Sequence, residues 1–244
     1  MTGLLSGIPA VILAGGLGTR LRPVVADRPK ALAMINGRPF LGYLLMQLAR
    51  AGVREAVICT GYLAEQVRTC FGDSYAGIRL RYSVETEPLG TGGALRLALP
   101  LLAADSILVV NGDSYFSADL ADFHGRHRAA GSLASLLLAR VADISRFGAV
   151  DLVEGGQIAR FEEKGSAAGP GLINAGVYLL SGEVVRGIPD SGPVSLEREV
   201  FPALVGHGLY GFAQDGKFID IGTPEDYLAA AAFFAEMPDG KEKR

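Results

Sequence analysis

The residues with the clearest chemical potential stand in a glycine-rich stretch near the start of the sequence. A short apolar run, Ala10–Leu13, leads into a loop with three glycines in four positions, Gly15, Gly16 and Gly18. Glycines give a ligand close access to the backbone, and successive N–H groups in such a loop form an anion-binding concavity. Since Arg20 adds a cationic donor, the pattern predicts a phosphate site after a buried strand. An ordinary strand-to-loop turn explains the glycines equally well.

Two common phosphate-binding motifs, the Walker A loop and the dinucleotide fingerprint, do not match this stretch. A Walker A loop requires Gly-Lys-Ser/Thr, and this run has none. A dinucleotide fingerprint requires a further glycine and then a helix, whereas Leu21 follows here and Pro23 opposes a helix. The sequence therefore disfavours a dinucleotide-dependent oxidoreductase.

Two carboxylates follow apolar runs that predict strands. Asp113 comes after residues 106–110, and Asp220 comes after residues 217–219. In open α/β sheets ligands bind beyond the carboxyl ends of the strands, which favours a metal or substrate role. An aspartate also forms turns at such places, so each residue alone allows either interpretation.

A second glycine-rich stretch covers residues 85–95. It begins at Glu85 and contains Gly90, Thr91, Gly92 and Gly93 before an apolar helical pattern. One interpretation is a flexible connector, and the other is a surface that a flat base approaches closely. In the second interpretation Thr91 is available to donate or accept a hydrogen bond.

These candidate residues require an alternating α/β scaffold to position them. Leu41, Leu44, Leu45 and Leu48 recur at helical spacing and predict a helix over Phe40–Arg50 with one buried face. Strands are predicted at 53–60, 78–84 and 106–110, and helices that end near residues 71 and 102. This alternation predicts a mostly parallel, doubly wound sheet.

The second half of the chain keeps less of this alternation. The turn sequence Glu154-Gly155-Gly156 predicts a hairpin of residues 147–153 and 157–163. Further predicted elements are a helix at 119–128, strands at 132–141 and 172–180, a helix at 195–204 and a last helix from residue 224. We expect one domain over residues 1–237, with a nucleotide half over about 1–115, a sugar half over about 116–237 and a disordered tail at 238–244.

The composition excludes several classes of function. A net charge of -3 gives no reason to expect a nucleic-acid partner, and no apolar run approaches the roughly 18 residues of a membrane span. The N-terminus lacks the basic segment of a secretory signal. Cys59 and Cys70 have no metal-binding spacing and indicate a reducing compartment, so we expect a cytoplasmic protein. Homo-oligomerisation is left open.

The run at 13–23 resembles a known family signature. Leu-Ala-Gly-Gly-Leu-Gly-Thr-Arg-Leu-Arg-Pro, followed by Pro29-Lys30-Ala31-Leu32, closely resembles the signature of the sugar-phosphate nucleotidyltransferases. The resemblance extends to about Tyr227 and implies a single Rossmann-like, GT-A-like α/β domain, with a mostly parallel mixed sheet flanked by helices. The C-terminal β-helix of many members is not expected, because the sequence stops one helix after Asp220.

The resemblance implies a role for each candidate residue. The implied nucleotide-binding residues are Leu13, Ala14, Gly15, Gly16, Gly18, Thr19, Arg20, Glu85, Gly90, Thr91 and Gly112. The implied sugar-phosphate-binding residues are Lys30, Glu163, Lys164 and Asn174. The implied catalytic residues are Arg20, Lys30, Asp113, Lys164 and Asp220, with Asp113 and Asp220 holding Mg²⁺ or, as a substitute, Mn²⁺. Without the resemblance, Glu163 and Lys164 are the solvated end of a charged hairpin.

The implied reaction joins a nucleoside triphosphate to a sugar 1-phosphate and releases pyrophosphate. Residues 88–94 and 173–176 resemble the subgroup that uses GTP and heptose 1-phosphate, so we expect guanylyl transfer that gives GDP-heptose. Mannose 1-phosphate guanylyltransferases and a muramate 1-phosphate uridylyltransferase are the close alternatives. A non-catalytic sugar-nucleotide sensor is the alternative from another class, although the sequence keeps every charged residue of the implied catalytic set.

Overall fold

Strands and helices alternate along the chain in a computed structural model that describes residues 5–16, 18–21, 23–25, 27–163 and 168–237. The strands are β1 Ala10–Leu13, β2 Met34–Ile35, β3 Arg38–Pro39, β4 Glu55–Thr60, β5 Ser74–Tyr75, β6 Ile78–Val84, β7 Ser106–Asn111, β8 Ser114–Phe116, β9 Ala134–Val141, β10 Ala149–Leu152, β11 Ile158–Glu162, β12 Gly171–Ser181, β13 Leu209–Gln214 and β14 Phe218–Asp220. The helices are α1 Phe40–Arg50, α2 Ala64–Phe71, α3 Gly90–Ala98, α4 Leu120–Ala130, α5 Gly182–Gly187, α6 Phe201–Leu204 and α7 Pro224–Ala235.

The central sheet has eight strands in the order β13-β9-β12-β7-β1-β4-β6-β5. Strands β7, β1, β4 and β6 run parallel, and β13 runs parallel to β9. Strand β12 lies antiparallel between β7 and β9, so the sheet is mixed. The parallel strands end at the same edge, which places the loops that follow β1, β4 and β7 side by side. The predicted α/β fold with a mostly parallel mixed sheet is confirmed.

Apolar side chains cover both faces of this sheet, as a parallel sheet requires. One core cluster contains Ile12 with Phe40 of α1 and Phe234 of α7. The other contains Val11 with Leu95 of α3. Because Val11 and Ile12 are neighbours on one strand and face opposite clusters, β1 is buried on both sides.

Several predicted elements agree with the structure. Helix α1 has the predicted bounds, and β10 and β11 pair as an antiparallel hairpin around the predicted turn. The predicted helix at 195–204 is instead a π-helical turn at Leu196–Val200 followed by the short α6, with the Ser195 side chain accepting from the Arg198 N–H. The predicted tail at 238–244 lies outside the described residues. In the described parts of the chain, no helix is long and apolar enough to cross a membrane.

Candidate active site

A cleft of about 380 Å³ opens at the carboxyl ends of the parallel strands. All of the nucleotide-binding residues predicted from the sequence line it, together with Lys30 and Asp113 of the predicted catalytic set. Two chain segments form most of its wall: the first loop, residues 14–21, and the second loop, residues 85–93. The structure therefore brings these residues into one site, while their contacts with a nucleotide stay a prediction.

The first loop is held at its base by the neighbouring strands. The Ala14 N–H donates to the Cys59 carbonyl of β4 at 2.9 Å, and the Gly112 N–H donates to the Leu13 carbonyl at 2.9 Å. Gly18 has a φ of +59°, a conformation that glycine adopts without steric cost. A Cβ on Gly16 would meet no atom of the described residues within 4 Å, so the loop surface there is open. This geometry leaves backbone room for a ligand in the cleft.

The two predicted metal-binding carboxylates lie on adjacent segments. Strand β14 pairs antiparallel with β8, which sets Asp220 opposite Ser114, and the Ile221 N–H donates to the Asp113 carbonyl at 2.9 Å. Burial raises the pKa of Asp220, and the nearby Asp113 carboxylate raises it further, while Lys30 and the Gly222 N–H oppose the shift. Asp113 and Asp220 are thus close enough to repel each other when both are charged.

Two cationic side chains of the predicted catalytic set stand at the same end of the cleft. Lys30 Nζ lies 2.9 Å from Asp113 Oδ2, and the Lys30 side chain is only 12% exposed. Arg20 is exposed, and its guanidinium lies close to Gly222, a residue that also lines the cleft. A Cβ added to Gly222 would lie 3.5 Å from Arg20 Nη2. Arg20, Lys30 and Asp113 therefore line this part of the cleft, and Asp220 lies close to Asp113.

Glu85 lies on the cleft wall between the two loops. Its Oε2 accepts from the Leu89 N–H at 3.2 Å, and its Oε1 lies against the backbone of Gly15 and Gly61. A Cβ on Gly15 would collide with this carboxylate, so glycine is required there by a protein contact. Burial raises the pKa of Glu85, with the Leu89 N–H opposing. The half-buried carboxylate gains if a ligand donates hydrogen bonds to it.

The glycines of the second loop pack against another chain segment. A Cβ on Gly90, which has a φ of +72°, would lie 2.5 Å from the Val194 carbonyl oxygen, and a Cβ on Gly92 would lie 3.1 Å from it. The Gly92 N–H donates to the same carbonyl at 2.8 Å, and the Val194 N–H donates to the Leu89 carbonyl at 2.8 Å. Gly90 also lines the cleft, but the closest approach at these glycines is to Val194. This differs from the interpretation of Gly90 to Gly93 as a surface for a flat base.

Of the predicted sugar-phosphate residues, Lys30 lines the cleft, whereas Glu163 and Asn174 lie beyond its lining. Glu163 is exposed, and its Oε2 accepts from Arg198 Nε at 2.6 Å. Asn174 is half-buried on β12, where its Oδ1 accepts from the Gly176 N–H at 2.9 Å and its Nδ2 donates to the Tyr178 hydroxyl at 2.9 Å. Lys164 lies outside the described residues.

Sequence reasoning missed two residues that join the predicted nucleotide and sugar sides. Glu197 accepts from the Thr91 hydroxyl at 2.6 Å and from the Tyr178 hydroxyl at 3.2 Å. Glu197 lies in the helix predicted at 195–204, and that pattern assigned it no role. Tyr178 ends the run at 174–178, which resembles the sugar-facing strand of the family, but only Asn174 of that run was named as a site residue.

The carboxylates of the site can hold a hard cation only if a ligand supplies further oxygen atoms. Among the described residues, no group of three or more His, Cys, Asp or Glu side chains is arranged to hold a metal ion. Asp113 and Asp220 supply a pair of carboxylates, and Mg²⁺ is commonly bound by one or two carboxylates together with substrate phosphates and water. The pair therefore fits such an ion once a phosphate is bound.

The fold and the cleft define an α/β nucleotide-binding enzyme, and comparison with known proteins identifies its family. The nucleotidyl transferase family profile matches residues 9–237, and the chain belongs to this family. The sequence-based prediction of a nucleotidyltransferase is confirmed.

Its relatives include proteins with two sugar specificities. D-glycero-alpha-D-manno-heptose 1-phosphate guanylyltransferase of Aneurinibacillus thermoaerophilus is 37% identical over 222 residues, which cover 91% of this chain and 96% of the relative. Mannose-1-phosphate guanylyltransferase of Mycobacterium tuberculosis is 39% identical over 229 residues, which cover 92% of this chain and 64% of the relative. The crystal structure of HddC from Yersinia pseudotuberculosis, complexed with GMP-PN, superposes with a TM-score of 0.82 at 34% identity, over 93% of this chain and 99% of that chain.

Proposed function

We propose that this enzyme transfers a guanylyl group from GTP to D-glycero-α-D-manno-heptose 1-phosphate, and that it releases pyrophosphate and GDP-heptose. The relative of this specificity matches 91% of this chain over 96% of its own length. Mannose 1-phosphate is the second candidate acceptor, since a mannose-specific relative is 39% identical. In both cases the reaction is a phosphoryl-group substitution that a cleft with charged residues at one end can promote.

The observation that carries the proposal is the chemical polarity of the cleft. Lys30, Arg20 and Asp113 line the end proposed for the phosphates, with Asp220 close to Asp113, and on the wall Glu85 presents a half-buried acceptor. Guanine carries an N1–H and an exocyclic amine as adjacent donors, which a carboxylate accepts. Adenine places a lone pair at N1, which would leave that carboxylate unpaired.

Catalysis in this site consists of positioning and charge stabilisation. The sugar phosphate oxygen attacks the α-phosphorus in line with the leaving pyrophosphate, so the two substrates must be held in one orientation. Arg20 at the cleft edge stabilises charge on the leaving group. Lys30 orients a phosphate once the lysine ammonium group has broken its ion pair with Asp113. No covalent intermediate on a side chain is required.

Mg²⁺ completes the proposal as a cofactor held by Asp113 and Asp220. Bound there, it supplies neutralisation of charge on the phosphate oxygens. Burial raises the pKa of Asp220 and the neighbouring Asp113 carboxylate raises it further, and a cation held by the pair would offset this repulsion. The residues of the chain itself hold this pair in place through the β8–β14 pairing.

Pyrophosphate release tests the proposal directly. The purified enzyme is assayed with GTP, ATP, UTP and CTP, each with heptose 1-phosphate and with mannose 1-phosphate, in the presence of Mg²⁺. We expect the largest kcat/KM for GTP with heptose 1-phosphate. A clear preference for UTP overturns the guanylyl assignment, and a preference for mannose 1-phosphate replaces only the acceptor.

A substitution at Glu85 tests whether this carboxylate recognises the base of the nucleotide. Glu85→Gln replaces one acceptor with a donor, so we expect the ratio of kcat/KM for GTP over ATP to fall by roughly 10-fold or more. Glu87→Gln is the matched control, because Glu87 is exposed and does not line the cleft. An unchanged ratio in Glu85→Gln removes this residue from base recognition.

A further inference from the structure

The carboxylate of Glu197 accepts hydrogen bonds from three hydroxyl groups that lie between the cleft and the predicted sugar side. Glu197 Oε2 accepts from the Thr91 hydroxyl at 2.6 Å and from the Ser195 hydroxyl at 3.1 Å. Glu197 Oε1 accepts from the Tyr178 hydroxyl at 3.2 Å. Glu197 is half-buried, and Tyr178 is fully buried. Three hydroxyl hydrogens therefore point at one side chain.

This arrangement fixes the hydrogen-bonding polarity of Thr91. The single hydroxyl hydrogen of Thr91 is committed to Glu197, and one lone pair accepts from the Leu196 N–H at 2.8 Å. A free threonine hydroxyl rotates to donate or to accept. Thr91 lines the cleft, and toward a ligand there it can only accept. This answers the question that the sequence left open at this residue.

The same carboxylate also reaches the asparagine on the sugar side through Tyr178. The Tyr178 hydroxyl donates to Glu197 and accepts from Asn174 Nδ2 and, at 3.3 Å, from Asn111 Nδ2. Asn174 Oδ1 accepts from the Gly176 N–H, which sets the orientation of its amide. The second N–H of Asn174 and the second lone pair of its Oδ1 remain for a ligand, so Glu197 helps to hold this side chain in place through Tyr178.

The partners of Thr91 belong to the sugar half of the chain. Its hydroxyl contacts Glu197 and Leu196, and the network continues through Tyr178 to Asn174. The next residue, Arg198, donates to Glu163, another predicted sugar-binding residue. The network thus joins the wall at Thr91 to sugar-side residues, and through the Tyr178 hydroxyl it also reaches Asn111 of the cleft lining.

We propose that Glu197 is a positioning residue for the sugar phosphate, which presents the Thr91 hydroxyl as an acceptor to a sugar hydroxyl and holds Asn174 in place through Tyr178. This inference rests on the proposed sugar 1-phosphate guanylyltransferase activity. A sugar hydroxyl that donates to Thr91 is bound only while Glu197 takes the Thr91 hydrogen. Glu197 itself acts through these two side chains.

Glu197→Gln is the informative substitution, because it keeps the shape and replaces one carboxylate oxygen with an amide donor. The Tyr178 hydroxyl, or both the Thr91 and Ser195 hydroxyls, then lose their acceptor, depending on which oxygen the amide nitrogen replaces. We expect kcat/KM for the sugar phosphate to fall about 10-fold or more, with little change in the KM for GTP. Glu199→Gln is the matched control on the same turn, because Glu199 is exposed and accepts only from the Ser195 N–H among the bonds described.

Two further variants separate a positioning role from a merely structural one. Thr91→Val removes the hydroxyl and should reproduce the loss seen in Glu197→Gln, whereas Thr91→Ser keeps the hydroxyl and should lose clearly less than Thr91→Val. The double variant Thr91→Val/Glu197→Gln should lose little more than either single variant, because both act on one contact. Melting temperatures of all variants show whether the fold is kept.

The substrates used are mannose 1-phosphate or heptose 1-phosphate, whichever supports turnover, and a set of monodeoxy analogues of mannose 1-phosphate. Wild type should discriminate against one analogue, and Glu197→Gln should lose that discrimination. If Glu197→Gln matches Glu199→Gln, or raises only the KM for GTP, the inference is wrong while the proposed function stands. If the wild-type enzyme releases no pyrophosphate with any substrate pair, the proposed function fails instead. Calorimetric titration of mannose 1-phosphate into each variant with a non-hydrolysable GTP analogue then still decides the role of Glu197.

Discussion

The first and second loops of the cleft resemble each other in composition but use their glycines differently. At Gly16 in the first loop, the space around the missing Cβ is open. At Gly90 and Gly92 in the second loop, that space is filled by the backbone of Val194. Glycine gives room to a ligand in the first case and to another segment of the protein in the second.

Because of this difference, we expect substitutions in the two loops to affect different properties of the enzyme. The first loop is bounded by the strand ends and by Asp113, so a change at its open position, Gly16, should act on chemistry and leave the fold intact. The second loop carries the backbone hydrogen bonds to Val194 and the Thr91–Glu197 contact, so changes there should act on stability or on the sugar side. Substitutions at Gly16 and Gly90 test this difference.

The largest effect is expected at the aspartate pair beside the first loop. Asp220→Asn removes one charge of the aspartate pair, and loss of a group that binds the metal costs several kcal/mol of transition-state stabilisation, or roughly 100- to 1,000-fold in kcat. Pyrophosphate release at several Mg²⁺ concentrations measures the effect. Asp215→Asn is the control, because the Asp215 side chain is 98% exposed and lies away from the cleft. Near wild-type turnover in Asp220→Asn would exclude this residue from the metal site.

The second loop should respond to Gly90→Ala through stability. The left-handed φ of +72° and the approach of the new Cβ to within 2.5 Å of the Val194 oxygen both oppose alanine. Together they should lower the free energy of unfolding by about 2–3 kcal/mol, measured by urea denaturation. Gly72→Ala separates the two causes, since Gly72 has a φ of +60° but no described atom within 4 Å. Equal losses in both variants would show that the Val194 contact contributes nothing.

The part of the site that the sequence predicted is the part built from local runs. Gly15, Gly16 and Gly18 follow a strand directly, and Asp113 follows another, so topology alone brings them to one edge of the sheet. Thr91 and Glu197 are 106 positions apart, and no periodicity connects them. The packing of Gly90 on Val194 was hidden for the same reason, because a glycine-rich run does not reveal what approaches it.

The fold shows the same division between local and long-range information. The apolar spacing of α1 and the turn at 154–156 predicted their elements, because each pattern is complete within a few residues. The π-helical turn at Leu196–Val200 was predicted as an ordinary helix. Its Glu197 and Leu196 bond to Thr91 of α3, and such tertiary contacts override local helix propensity.

A pH effect on stability should arise outside both loops, at His127. Its Nδ1 lies 2.8 Å from Ser135 Oγ and 2.9 Å from Ser132 Oγ, and burial, with His124 adding, lowers its pKa to about 4. The unfolded chain, with a histidine pKa of about 6.5, binds a proton that the folded state excludes, so stability falls as pH drops from 6.5 toward 4. Between pH 7 and pH 5 the free energy of unfolding should fall by up to about 2 kcal/mol from this group.

Urea denaturation across that pH range checks the contribution of His127. His127→Gln should flatten the dependence, whereas His207→Gln, at an exposed histidine, should leave it as in wild type. Because His127 lies on α4, far along the chain from either loop, Gly90→Ala should shift the whole curve without changing its slope. A slope that survives in His127→Gln would assign the pH effect to another group.

The smallest change in stability is expected for Gly16→Ala, and this variant completes the comparison of the loops. Gly16 is exposed, its φ lies outside the left-handed region, and a Cβ there meets no described atom within 4 Å. The free energy of unfolding should therefore change by less than about 0.5 kcal/mol, or rise slightly because alanine restricts the unfolded chain.

The added methyl group nevertheless occupies the cleft wall where the phosphates are proposed to bind, so the KM for GTP should rise roughly 10-fold. Unfolding curves and GTP titrations on the same preparation separate the two effects. A destabilised Gly16→Ala, or one with an unchanged KM for GTP, would mean that the first loop uses this glycine as the second loop uses Gly90, for contact within the protein.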